Sequence, residues 1–233
     1  MATLPPGQRT RKDFPRFGLP LYAARFPSVL DKRSIEVKVN KGATFRVDMA
    51  STDLARTSLE ADFHCVATWS HVGARWRGVS FSDFYEEYIR PRQDSNSPIV
   101  AAVLYAQDGY KTSLLLEDLL GANVMLADTL NDESLTIEHG APLRLVVPEH
   151  YGYKNLKHLS RIEFHAEVPV IKRGMRAFLD HPRARVRREE RGRWIPGWIL
   201  RFLYRPLVPG TVKDFDSAMQ QYRREQGQHM TRD

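Results

Sequence analysis

At 233 residues, 42% of them hydrophobic, the chain is long enough to bury a sizeable core and too apolar to be disordered by composition. Its one cysteine, Cys65, excludes an internal disulfide, a multi-thiolate metal cage and a CxxCH haem attachment. The net charge of +7 belongs to the tail, because residues 171–233 hold 15 Lys and Arg against 7 Asp and Glu and leave 20 against 21 in residues 1–170. Such a tail is either a solvated charged extension or a surface for an acidic partner, a nucleic acid or an anionic membrane.

The N-terminal MATLPPGQRTRKDF carries charge with no apolar run behind it, and no stretch reaches transmembrane length. A cytoplasmic location is the expectation, and a lone thiol suits a reducing compartment. From Ser34 to Val39, SIEVKV alternates as a half-buried strand does, and ATFRVDM repeats the pattern after a turn at Asn40 to Gly42, which predicts a hairpin. A third strand is expected at Phe63 to Trp69, ending before a turn at Ser70 to Gly73. Ser80 with Asp83 resembles a capping box for a short helix whose apolar face is Phe81, Phe84, Tyr85 and Tyr88, with Pro91 ending it.

Ile99 to Ala106 is a continuous apolar run that reads as a strand buried on both faces. Ser113 is placed to cap a turn or helix through LLLEDLL, which stops at Gly121. VMLA and LRLVVP read as short strands, and HLSRIEFHAEV as the strand that closes the sheet. Beyond residue 170 come RARVRREERGR, a helix or an exposed loop, then WIPGWILRFLYRPLVPG, then DFDSAMQQYRREQ as a terminal helix. Strands with few, short helices point to an α+β, β-rich fold, organised as a domain over residues 1–170 and a basic extension over 171–233 packed on it.

Three uses are open to Cys65: inert packing, nucleophilic catalysis, or single-thiolate ligation of a soft, redox-active metal. On a strand His64 faces away from it, so a base for a nucleophile would have to be His71, His139 or His150. Arg75 and Arg77 would lower the thiol pKa if the turn folds back on it.

The segment DFHCVATWSHVGARWRGV, followed in order by YAQDGYKTSLLLEDLL and VMLADTLNDESLTIEHGAPLRLVVPEHYGYKNLKHLSRIEF, resembles the cofactor-binding half of the molybdopterin-dependent oxidoreductases of the sulfite oxidase family. The likeness runs from Pro15 to Phe164. It implies a molybdenum ligated by Cys65 and by the dithiolene of one molybdopterin without a nucleotide. It places Asp108 near the pterin, His139 and Arg144 on the cofactor, and Asn155, Leu156 and Lys157 at its far end. The N-terminal Arg16 and Phe17, in RFGLP, resemble a loop that reaches the cofactor from the other side.

That resemblance implies oxygen-atom transfer or reduction on a small-molecule substrate, with electrons exchanged with a separate haem or flavin protein. The alternative is a non-catalytic binding module on a degenerate cofactor fold that uses its basic tail. Where sulfite oxidases have an Asn- and Arg-rich segment after the cysteine, this chain has VATWS, and Trp69 resembles the bacterial reductase branch, whose members include enzymes acting on oxidised methionine in proteins. Tyr110, Tyr151 or Tyr153 is expected to line the access to the metal. No run of strands beyond residue 170 provides the family's dimerisation domain, and no nucleic-acid motif appears. In the tail, Trp194, Trp198, Ile199, Phe202 and Leu203 among Arg193, Arg201 and Arg205 have a composition that suits peripheral membrane contact. The reading set ahead of that one is that these aromatics pack across the domain and shield its sheet.

Overall fold

The computed structural model describes residues 4–30, 33–169 and 180–230. The expected boundary at residue 170 lies outside the described residues. Alternation builds the first sheet: Ile35, Val37 and Val39 of β2 (Ser34–Val39; β1 is the two-residue Arg9–Thr10) are buried while their neighbours are not. β3 (Thr44–Asp48) pairs antiparallel with β2, completing the expected hairpin.

The second sheet carries the cysteine. β4 (Arg56–His64) pairs antiparallel with β5 (Trp69–Ser80), and Cys65 to Thr68 form the turn between them. The strand expected over Phe63 to Trp69 is therefore two strands, and Cys65 lies just past the end of the first. The reason is local. Thr68 takes a left-handed backbone conformation (φ 76°) that closes the turn, whereas Gly73 (φ 71°) is absorbed within β5, its N–H bonded to Asp62 Oδ1 at 2.9 Å opposite a register shift in β4. The glycine read as a turn is a kink in a long strand.

After β5 the chain winds through α1 (Phe81–Phe84), a wider π turn at Tyr85–Ile89 and a 3-10 turn at Arg90–Arg92 that includes Pro91. Phe81, Phe84 and Tyr85 are buried as expected. The capping box is not formed, because Ser80 Oγ pairs with Ser82 Oγ at 2.7 Å. β6 (Ala101–Ala106) is buried on both faces, and β7 (Lys111–Leu115) follows it. Ser113 belongs to β7 rather than to a cap, since α2 (Leu116–Leu119) starts two residues later than the cap would require.

β8 (Met125–Leu130), β9 (Glu133–Ser134) and β10 (Arg144–Val146) belong to the cysteine's sheet, whose order is β1-β5-β8-β10 with β4 on β5 and β9 on β8. β11 (Leu159–His165) joins the other sheet, ordered β3-β2-β11-β6-β7. Instead of closing that sheet, β11 is its middle strand, parallel to β2 and antiparallel to β6. Ile162 and Phe164 drop into the main core with Ile35, Leu104, Phe81 and Leu126, each such side chain contributing about 1.5–3 kcal/mol.

The C-terminal segment RARVRREERGR is irregular apart from a single 3-10 turn at Val186–Arg188, and it is not simply an exposed loop, because Ala184, Val186 and Arg191 are buried. α3 (Gly197–Tyr204) and α4 (Val208–Met230) follow. Phe215 and Met219 of α4 are buried, the Arg16 guanidinium lies 5.0 Å from the Phe215 ring, and Phe26 stacks on Tyr222 at 4.1 Å. The tail thus packs on the body, but its large aromatics do not shield the sheet. α3 turns Leu200 inward and leaves Trp198, Phe202 and Leu203 exposed, with Trp194 before it and Leu207 after it.

Candidate cofactor site

Cys65 is held by a tightly pinned turn. Its N–H bonds to the Trp69 carbonyl at 2.8 Å and its carbonyl accepts from Thr68 N–H at 3.2 Å. From outside the hairpin, Gln8 Nε2 donates to the Cys65 carbonyl at 3.1 Å, and the fully buried Arg191 donates to the Val66 carbonyl at 2.5 Å and the Pro6 carbonyl at 3.1 Å. The thiol sulfur accepts the Ala67 N–H at 3.4 Å. Burial pushes its pKa up to about 12, against the pull of that N–H and of the charges of Arg191, Lys157 and Arg11.

His64 is turned to another partner, as strand alternation predicts, and the arginines expected to act on the thiol do not. His64 Nδ1 pairs with Ser70 Oγ at 2.7 Å. Arg75 bonds to Asp132 at 2.6 Å on the surface, and Arg77 is exposed on the same strand. A nucleophilic thiolate therefore has no activating group beside it.

A cavity of about 530 Å³ opens against Cys65. Arg16, Phe17, Asp108, Asn155, Leu156 and Lys157 line it together with the cysteine, so seven of the nine residues singled out from the sequence meet there. His139 lines a neighbouring cavity of about 560 Å³, separated from the first by Phe14, Pro15 and Arg16, which border both. Arg144 lines neither. It is fully buried, 4.7 Å over the Trp76 ring, and donates to the His139 carbonyl at 2.8 Å and the Asn155 carbonyl at 3.3 Å. It clamps the two loops that border the cavities rather than facing the space. Asn155 is also spent on structure: its Oδ1 accepts from Val147 N–H at 2.7 Å, and its Nδ2 donates to the Val147 and His150 carbonyls at 3.1 and 3.2 Å.

The electrostatics of this region are one-sided. Among the described residues, Arg16, Arg144 and Lys157 hydrogen-bond to backbone carbonyls and form no ion pair with a carboxylate. Burial, with the charges of Arg144 and Arg16, pushes the Lys157 ammonium down to about 7. Burial alone lowers Arg144 to about 9, and burial with the charges of Lys157 and Arg144 lowers His139 to about 3, so the imidazole is neutral. Among the described residues two carboxylates line the cavity: Asp180, paired with Lys154 at 3.4 Å, and Asp108, whose pKa burial raises. Arg144 Nε, His139 Nδ1 and Trp69 Nε1 are buried without a hydrogen-bond partner. Excess buried positive charge and orphaned donors fit an anionic, hydrogen-bonding ligand with a phosphate and a polar heterocycle, which is what molybdopterin is. Among the described residues no group of three or more His, Cys, Asp or Glu is placed to hold a metal ion. A metal at Cys65 would take its other ligands from such a cofactor.

Several lining residues escaped the sequence reading. Tyr204 and Leu207, from α3 and the turn after it, and Phe215 of α4 close one side of the cavity. Tyr204, with Phe14, Phe17, Phe63 and Trp69, makes the surroundings of Cys65 aromatic, Trp69 lying 5.8 Å from Phe17 and 5.7 Å from Phe63. Tyr110 and Tyr153 line the cavity, the Tyr110 hydroxyl donating to the Tyr153 carbonyl at 2.9 Å. Tyr151 does not; it is buried under Arg191, with the guanidinium 4.9 Å from its ring.

A family model described as the oxidoreductase molybdopterin binding domain matches residues 27–170. An uncharacterized oxidoreductase, YuiH of Bacillus subtilis, is 38% identical over 106 residues, covering 46% of this chain and 51% of that protein. The protein-methionine-sulfoxide reductase catalytic subunit MsrP of Campylobacter jejuni is 30% identical over 125 residues, covering 46% of this chain and 40% of that one. Among solved structures, the sulfane dehydrogenase SoxCD of Paracoccus pantotrophus superposes with a TM-score of 0.53 at 19% identity, over 63% of this chain and 41% of that one. The matches thus span about half or less of the length of these relatives.

Proposed function

Because the chain belongs to the family of oxidoreductase molybdopterin-binding domains, we propose that its aromatic-walled cavity seats a molybdopterin without a nucleotide, with Cys65 as the protein ligand of the molybdenum. The fold is the α+β, sheet-rich one of the sulfite oxidase family. The observation that carries the assignment of the site is the coincidence, on one cavity, of a pinned thiol and two cations, Arg16 and Lys157, that hydrogen-bond only to backbone carbonyls and pair with no carboxylate among the described residues. The bound centre would supply the two-electron exchange by which an oxygen atom is moved onto or off a small substrate.

The chain's own groups have distinct tasks in this reading. A metal at the Cys65 sulfur takes the place of a proton that burial otherwise holds until about pH 12. Gln8 and Arg191 fix the turn, so the sulfur's direction is set before any ligand arrives. Arg16 and Lys157 meet the phosphate charge, and Asp108, on the same cavity, accepts from pterin nitrogens. His139, neutral, presents Nδ1 from the neighbouring cavity, and Arg144 holds the backbone of both loops.

Phe17, Phe63, Trp69 and Tyr204 exclude water around the sulfur and offer an apolar wall to the substrate. Among the described residues the arginines near Cys65 are engaged elsewhere, Arg191 on the Val66 and Pro6 carbonyls and Arg16 on the Ala23 and Arg25 carbonyls, and Arg75 and Arg77 lie out on β5, which disfavours a sulfite-like oxyanion. The substrate is therefore a neutral oxide with an apolar flank, such as a sulfoxide, in keeping with the MsrP relative, a methionine-sulfoxide reductase subunit. Electrons come from a separate haem or flavin carrier. The test is turnover of the metal-loaded protein with a reduced viologen dye and methyl sulfoxides, beside sulfite with an oxidised dye. Sulfoxide reduction without sulfite oxidation is expected; the opposite pattern would refute the substrate assignment.

A further inference from the structure

From Gly192 to Lys213 the chain carries Arg193, Arg201, Arg205 and Lys213 and no acidic residue. The same stretch exposes Trp194 (68%), Trp198 (55%), Phe202 (58%), Leu203 (57%) and Leu207 (59%). Among the other described residues Val168 alone is a large hydrophobic side chain exposed by more than half. Single exposed leucines need no explanation, but a contiguous set containing two tryptophans and a phenylalanine does.

The helix geometry makes them one face. Trp198 and Phe202 are four residues apart on α3, as are Leu203 and Leu207 across its end, while Leu200 and Tyr204 point into the protein. α3 is thus anchored by its inner side and presents an apolar outer side. The arginines lie along the aromatics: Arg193 is 5.6 Å from the Trp194 ring, and Arg201 and Arg205 are 5.5 and 5.9 Å from the Phe202 ring. The guanidinium groups themselves thus lie beside the rings, at the border of the apolar face.

We propose that this face docks on an anionic lipid bilayer, with the tryptophans, Phe202 and Leu203 among the upper acyl chains and Arg193, Arg201 and Arg205 at the phosphates. The charge argues for lipid over a protein partner. Arg201 is paired with Glu189 at 3.6 Å, but Arg193 and Arg205 form no ion pair among the described residues. A rim with this net positive charge complements a uniformly anionic surface, whereas a specific protein interface pairs charges of both signs. Tryptophan and arginine beside one another are what a bilayer interface takes up, one in the headgroup boundary and the other at its charge. Docking would be peripheral, since among the described residues no helix is long and apolar enough to cross a membrane. Leu207 and Tyr204 also line the cavity beside Cys65, so docking brings that cavity to the bilayer surface.

The experiment is flotation of the full chain with vesicles of phosphatidylcholine alone and of phosphatidylcholine mixed with phosphatidylglycerol, beside a Trp198→Ser/Phe202→Ser variant and light scattering of both proteins. The replaced side chains are exposed, so the variant keeps its fold, which circular dichroism checks. The full chain is expected to float with the mixed vesicles, to lose binding as salt is added, and to lose at least about tenfold in the double variant. The proposal is overturned by failure to float, by equal flotation of variant and parent, or by equal binding to neutral vesicles. It is also overturned by a concentration-dependent dimer that the variant abolishes, which would assign the face to a second copy of the chain. Metal content enters none of these outcomes, so they stand apart from the cofactor assignment.

Discussion

Replacing Lys157 with methionine keeps the length of the side chain and removes its charge. Burial and the neighbouring Arg144 and Arg16 lower this ammonium from 10.5 to about 7. At 1.36 kcal/mol per unit, a protonated Lys157 costs the cofactor-free fold up to about 5 kcal/mol below the folded pKa. The sign follows from proton binding. Unfolding takes up a proton between about pH 7 and 10.5, so the parent gains stability as pH rises through that window and the methionine variant does not. The variant gives up the hydrogen bond from Nζ to the Glu138 carbonyl, worth about 1 kcal/mol. Its net advantage in cofactor-free protein is then about 4 kcal/mol near pH 6 and about 1 kcal/mol near pH 9. Urea unfolding of both proteins, produced in a host unable to make the pterin, reads this as a midpoint shift above about 1 M at the lower pH and a small one at the higher. A variant less stable than its parent near pH 6, or an advantage independent of pH, would refute the picture of an uncompensated cation. With the cofactor bound the order should reverse, since the phosphate supplies the missing counter-charge.

Two further outcomes follow from neighbouring geometry. Asp128, 4% exposed, is bound by Arg56 and, at 2.8 Å, by Arg33; burial opposes its charge, but the hydrogen bonds from Arg56 and Thr129 and the two arginine charges outweigh it and hold its pKa below the usual carboxylate range. Asp128→Asn should cost about 3 kcal/mol at neutral pH in a urea titration, and the cost should vanish as pH falls through the depressed pKa, where the parent also loses the pair. Gly152 sits so close to Phe63 that a Cβ would come within 2.4 Å of its ring. Gly152→Ala should push that ring toward the cavity, lower stability by about 1–3 kcal/mol in a thermal melt, and reduce the pterin retained on purification. Unchanged pterin content would show that Phe63 does not shape the site.

Much of the fold was legible because it is local. The β2–β3 hairpin follows from period-two alternation, and β6 from a continuous apolar run. What escaped depends on distant contacts. Gly73 is a turn signal in isolation and a kink when β4 supplies Asp62 opposite it. Arg191, in a run of charge that reads as solvated, is buried because its guanidinium ties Val66 and Pro6, which lie over a hundred residues away in the chain. The site divides in the same way. Arg16, Phe17, Cys65, Asp108, Asn155, Leu156 and Lys157 were identified through the resemblance of ordered motifs, and the cavity unites them. The same motifs include Arg144 and Asn155, whose polar atoms are spent on backbone carbonyls and amides, a distinction that needs the tertiary structure. Tyr204, Leu207 and Phe215 belong to an amphipathic tail in which nothing local tells the inner residues from the outer.

The assignment of Cys65 is tested most directly by elemental analysis of the protein purified from a molybdenum-competent host, beside Cys65→Ser. Serine replaces a buried sulfur that makes one hydrogen bond, so the variant is expected to fold. The account predicts stoichiometric molybdenum with pterin in the parent and loss of the metal in the variant. A parent without molybdenum, or a variant that retains as much as the parent, would contradict it.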